Sequence, residues 1–94
     1  MAYTWDAAKR ESNLRKHGLD FSDAALVYEA PDALVMDVVR KGEQRTITVA
    51  MRPVAGKMVP LTVVTTARGM DVRLISFRRA SEKERRELSR RMTS

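Results

Sequence analysis

The sequence holds no cysteine, one histidine, one tryptophan, four glycines and three prolines in 94 residues. Each shortage removes a class of chemistry. Without cysteine there is no disulfide framework, no thiolate metal site and no thiol nucleophile, so a reducing compartment, the cytoplasm, is the expected setting. A single histidine excludes a two-histidine acid–base pair and any paired-histidine metal motif, and no Gly-rich phosphate loop is present. Neither a metal nor another cofactor is expected. No apolar run approaches the ~20 residues of a membrane span, and no apolar segment follows a basic start, so neither a membrane anchor nor a secretory signal is expected.

What the chain has instead is charge. The formal net charge is +6 with a pI near 10.3, and it is unevenly placed: residues 1–37 hold 4 Lys+Arg against 7 Asp+Glu, whereas residues 38–94 hold 14 against 5. Arginine supplies 13 of the 18 basic residues. The planar guanidinium fork suits phosphate, so a polyanion, with nucleic acid first, is the expected partner. A chain of this length has room for one domain, residues 1–94, with a thin core.

Along the chain, Asp6 and Gly18 punctuate a first helix: the carboxylate can accept from free first-turn amides, and glycine stops a helix cheaply. Lys9, Asn13, Lys16 and His17 fall on one side of it. A second short helix is expected from Leu19 to Tyr28, with Phe21, Ala25, Leu26 and Tyr28 buried and Pro31 just beyond it. Its acidic flank speaks against helix-turn-helix DNA binding. From Ala33 the period changes, and Ala33–Arg40, Gln44–Met51, Met58–Thr66 and Val72–Arg78 read as strands. Short loops join them into an antiparallel meander. Ser81 to Glu84 forms a capping box that opens a C-terminal helix reaching about Met92. The expected class is α+β: two N-terminal helices, a four-stranded antiparallel sheet and a C-terminal helix.

The chemistry available lies in cations on separate elements. Arg73 sits between Val72 and Leu74, and Arg78 ends the same apolar run; a buried guanidinium needs an acidic partner or a ligand, and Glu43 and Asp71 are the candidate partners. The two arginines stand at odd separation, so a regular strand would send them to opposite faces unless a bulge or strand end re-aims one. His17 is the one side chain that titrates near neutrality; it can cap the helix as imidazolium or move a proton.

Several blocks then resemble one family. Trp5-Asp6 with Lys9, Asn13, Lys16-His17-Gly18 and Phe21, followed by Gly42-Glu43 with Arg45, then Thr66, Arg68-Gly69, Arg73, Ile75-Ser76, Arg78 and Ala80, and last Glu84-Arg85, are similar in order and spacing to the BrnT toxins of type II toxin–antitoxin pairs. The resemblance covers nearly the whole chain. It implies a RelE-like fold and a ribonuclease that stops translation, and metal-independent cleavage is the leading expectation. It also implies a BrnA-like antitoxin as partner, through which DNA would be reached only indirectly. Carried over by position, the family's motif residues fall on Lys9, His17, Glu43, Arg45, Arg68, Arg73 and Arg78; of these all but Arg45 are the expected catalytic set, and Lys16, Arg45 and Arg79 are the expected RNA contacts. In the expected reaction the ribose 2′-hydroxyl attacks the neighbouring phosphate; Arg68, Arg73 and Arg78 bind that phosphate with Lys9 beside them. Glu43 or His17 serves as base, and His17 or a cation as acid. The alternative is a non-catalytic basic module that holds RNA or the antitoxin without cutting.

Overall fold

Residues 1–93 are described by a computed structural model. Their elements are β1 (Tyr3–Thr4), α1 (Ala7–His17), a 3₁₀ turn (Phe21–Asp23), α2 (Ala25–Tyr28), β2 (Leu34–Arg40), β3 (Glu43–Val54), β4 (Lys57–Arg68), β5 (Asp71–Arg79) and α3 (Glu82–Thr93). The sheet order is β1-β5-β4-β3-β2. Strands β2 to β5 pair antiparallel, and β1 pairs parallel with β5, Tyr3 opposite Val72 and Thr4 opposite Arg73.

The expected architecture is therefore corrected. The sheet is five-stranded and mixed, and helices stand at the N-terminus, in the middle and at the C-terminus. A two-residue strand is too short to show a period of two in sequence, so β1 is defined only by its partners. The Val72 amide donates to the Ala2 carbonyl at 2.9 Å, and the Ala2 amide donates to Asp71 Oδ1 at 3.0 Å. The Tyr3 hydroxyl donates to the Glu29 carboxylate, which ties this edge to the end of α2.

The second helix is broken. The Asp20 carboxylate accepts from the Ser22 amide, and the tight turn that follows closes with the Ala24 amide on the Phe21 carbonyl. Three residues per turn in place of 3.6 moves the buried positions to Phe21, Ala24 and Val27, while Leu26 is left 63% exposed. These three pack with Leu61, Val63, Leu74 and Phe77 on one face of the sheet. Trp5 meets Phe21 edge-on at 6.3 Å between ring centroids, and the Arg10 guanidinium lies over the indole at 5.8 Å. On the opposite face α3 covers part of the sheet: its Leu88 is buried, and a groove at its flank is lined by Met51 and Pro60.

Both expected caps of α1 are present. Asp6 accepts from the Ala8 and Lys9 amides, and Gly18, at φ 71°, donates to the Leu14 carbonyl at 2.8 Å. Asn13 is the only buried residue of this helix, so apolar burial cannot be what docks it. Beyond β1, the outer edge of β5 exposes backbone groups, and Asn13 satisfies them as a neighbouring strand would. Its Nδ2 donates to the Phe77 carbonyl at 2.7 Å and the Leu19 carbonyl at 3.0 Å, and its Oδ1 accepts from the Phe77 amide at 3.1 Å. Asn13→Ala strands these buried groups, and the expected cost is about 2 kcal/mol of stability, read as a lower denaturant midpoint with an unchanged slope.

Candidate active site

The site begins with one irregularity in β5. Leu74 pairs with Thr65 and Ser76 with Val64, so Ile75 is left over as a bulge. Paired residues share a face of a sheet. Arg73 pairs with Thr66 and Arg78 with Thr62, four residues apart on β4, so both arginines lie on the face that carries α3. Without the bulge they would lie on opposite faces. Their strand positions are about 13 Å apart, from a rise of ~3.3 Å per residue.

Their environments differ. The Arg78 guanidinium makes a two-pronged ion pair with Glu84 on α3, Nη1 to Oε1 at 2.7 Å and Nη2 to Oε2 at 2.9 Å. Glu84 Oε1 also accepts from the Thr62 hydroxyl at 2.9 Å and the Ser81 amide at 2.8 Å, while the Ser81 hydroxyl accepts from the Glu84 amide at 3.2 Å. Arg73 is half-buried and its guanidinium makes no hydrogen bond or ion pair among the described residues. The two expected carboxylate partners are engaged elsewhere: Asp71 holds the Ala2 amide, and Glu43 accepts from Arg45 Nε at 3.2 Å. A guanidinium without a carboxylate, on a half-buried residue, is suited to an anionic ligand.

The other candidate residues are spread over two clefts and the length of α1. Arg40, Arg45 and Arg78 line a cleft of about 200 Å³ on the same face, with Ser76, Ile75 and Val64 between them. A second, wider cleft of about 540 Å³ runs over the strand ends and holds Glu43, Thr66 and Arg68. Glu43 and Arg45 stand between the two clefts as an ion pair. His17, half-buried at the end of α1, is reached by the charge of Arg78. Burial, then the charges of Lys16 and Arg78, hold its imidazole below the ordinary 6.5, which favours the neutral form at pH 7 rather than a helix-capping imidazolium. Because α1 runs beside β5, with Thr4 opposite Arg73 and Asn13 on Phe77, the exposed Lys9 lies along the same edge, one turn before Asn13. Lys16 is exposed beside His17.

Arg79 is not brought to the cluster. It pairs with Leu61, so the register assigns it to the face that packs on the 3₁₀ turn and α2. Sequence reasoning did not single out Arg40, or Glu84 beyond its cap. A signal for Glu84 existed: a capping box that starts three residues after Arg78 points its carboxylate back toward the strand end. Among the described residues, no group of three or more His, Cys, Asp or Glu comes together in a way that could hold a metal ion, and no helix is long and apolar enough to cross a membrane.

The ion pair fixes a pH dependence. Burial pushes the Glu84 carboxyl up, but the Arg78 fork, the Ser81 amide and the Thr62 hydroxyl overcome this and bring it to about 2 from 4.5. A depressed carboxyl contributes stability that is fully present above the unfolded value and is lost as the pH falls through the folded one. The expected loss is roughly 3 kcal/mol between about pH 5 and pH 2, and it should be absent in Glu84→Gln when unfolding is followed at stepped pH.

Comparison with known proteins adds an independent observation. A family model described as "Ribonuclease toxin, BrnT, of type II toxin-antitoxin system" matches residues 5–84. No curated protein matches the chain.

Proposed function

Since the chain belongs to the BrnT family of ribonuclease toxins of type II toxin–antitoxin systems, we propose that it cleaves RNA without a metal ion and thereby inhibits translation in the cytoplasm. Membership brings an antitoxin partner and an RNA substrate. The finer reading is a BrnA-like antitoxin that carries the DNA-binding part of the pair.

The observation that carries the reading is Arg73, half-buried and without a carboxylate, turned by the Ile75 bulge to the face of Arg78. Arg73 and Arg78 bind the scissile phosphate, and Arg68, Arg45 and Lys16 hold the flanking backbone. His17, neutral at pH 7, takes the proton from the ribose 2′-hydroxyl. The 2′-oxygen forms a bond to phosphorus and the bond from phosphorus to the 5′-oxygen breaks. Lys9 gives a proton to that departing oxygen, leaving a 2′,3′-cyclic phosphate and a 5′-hydroxyl. The guanidinium groups stabilise the extra negative charge on the phosphoryl oxygens, a contribution that is large in a partly water-excluded site. Glu43, neutralised by Arg45, orients that arginine.

The pH–rate profile of the purified chain on single-stranded RNA in EDTA tests this assignment. A base must be unprotonated, so kcat/KM should rise with pH along a limb whose pKa lies below 6.5, and His17→Ala should remove the limb with an ~10²–10⁴-fold loss. A His17→Ala variant that keeps both rate and limb overturns the base assignment. RNA that is bound in a salt-sensitive manner and recovered intact would favour the non-catalytic module.

A further inference from the structure

Glu84 is more deeply buried than a helix cap requires, at 8% exposure, and three elements converge on its carboxylate. Arg78 comes from the end of β5, Thr62 from the middle of β4, and the Ser81 amide from the start of α3 itself. A capping box needs only the Ser81 bond. The other three bonds are directed at the sheet, and two of them hold one guanidinium.

We infer that Glu84 is a positioning residue of the RNA site, its carboxylate fixing the Arg78 guanidinium on the sheet face that also carries Arg73 and Arg45. This rests on the RNA-cleavage reading above and adds to it a residue that does not touch RNA.

The geometry explains why such a residue is needed. Arginine carries five N–H donors on a long, rotamer-rich stem, and ordering that stem at the moment of binding costs entropy. Glu84 takes one donor from each Nη in advance, and the planar fork then fixes the direction of the remaining donors. Nε and the second hydrogen of Nη2 have no partner among the described residues, and the side chain is 28% exposed beside the cleft with Arg45 and Ser76. The carboxylate is itself immobilised by the fully buried Thr62, so the support does not depend on a surface rotamer. It also joins α3 to the site: the helix that contributes Glu84 docks on the face where the arginines gather.

Glu84→Gln, Ser81→Ala and Thr62→Val, compared with the parent on a short single-stranded RNA, separate positioning from capping. The glutamine keeps an acceptor for the Ser81 amide but meets Arg78 with an amide in place of its second oxygen. Ser81→Ala removes a cap bond and leaves the fork. Positioning predicts that Glu84→Gln lowers kcat/KM at least tenfold, mostly in kcat, while Ser81→Ala stays within twofold despite a lower Tm. Thr62→Val, which loosens the carboxylate without leaving a charge unpaired, should lose two- to threefold, and it carries the test if Glu84→Gln does not fold by circular dichroism. Equal rates in Glu84→Gln and Ser81→Ala, or a parental rate in Thr62→Val where glutamine cannot be purified, overturn the inference. An inert parent chain instead overturns the RNA reading, and the positioning role with it.

Discussion

Arg73→Ala is expected to lower kcat/KM for RNA cleavage by ~10²–10³-fold while the melting temperature stays within about 4 °C of the parent. The two halves of this result have one cause. The guanidinium has no hydrogen bond or ion pair within the described protein, so removing it breaks no internal polar contact. Its polar groups are left for a ligand. An interaction made with the developing charge on phosphorus appears in kcat, and one made only with the ground-state backbone appears in KM. The reading predicts the first, with steady-state rates as the readout. A large stability loss in Arg73→Ala would mean that the residue serves the fold.

Arg78→Ala behaves differently and costs stability as well as activity. It removes one partner of the ion pair and leaves the Glu84 carboxylate in a site where its side chain is only 10% exposed. The expected cost is about 3 kcal/mol, the low end for breaking a buried pair because Arg78 itself keeps contact with water. For a chain of this size that corresponds to a Tm lower by roughly 12–24 °C. Cleavage is lost as well. Arg78→Met combined with Glu84→Gln removes both charges, keeps an acceptor for the cap, and should recover most of the stability but none of the activity. Calorimetry alongside the cleavage assay checks both parts. Loss of stability and activity in proportion across the two variants would contradict a role for Arg78 beyond packing.

These two arginines also mark where sequence was informative. Caps and turns were readable because they depend on the chemistry of a few adjacent residues: Asp6 and Gly18 bound α1, Ser81 and Glu84 open α3, and the four long strands fall close to the alternating segments. The face of each residue was harder. Odd spacing of Arg73 and Arg78 set up the question of a bulge, but only the pairing of Leu74 with Thr65 and Ser76 with Val64 answers it. Period alone could not predict where a strand breaks period. The same applies to β1, which has no signal without Val72 and Arg73 beside it, and to the split second helix, where the Asp20 side chain competes for the backbone.

Polar residues with long-range partners were the least visible. Asn13 reads in sequence as one more polar group beside Lys9, Lys16 and His17, and in the fold it is the buried join between α1 and β5. Leu14, an apolar residue of the same helix, is 44% exposed. The candidate cations could be named because several blocks resemble one family. Which cation has a partner was not readable, because Arg78 finds Glu84 across a turn, whereas Arg73 makes no ion pair among the described residues.

The central claim is that the arginine face gathered by the Ile75 bulge cuts RNA through its own 2′-hydroxyl. One measurement addresses it most directly: product analysis, in EDTA, of a cleaved oligonucleotide beside its counterpart carrying a single 2′-deoxy sugar at the cut position. The parent chain should leave a 2′,3′-cyclic phosphate and a 5′-hydroxyl on the first, and leave the second uncut at that position. The combined His17→Ala, Arg73→Ala, Arg78→Ala variant should cut neither. Cleavage at the deoxy position, or undiminished cleavage by that folded variant, would contradict the account.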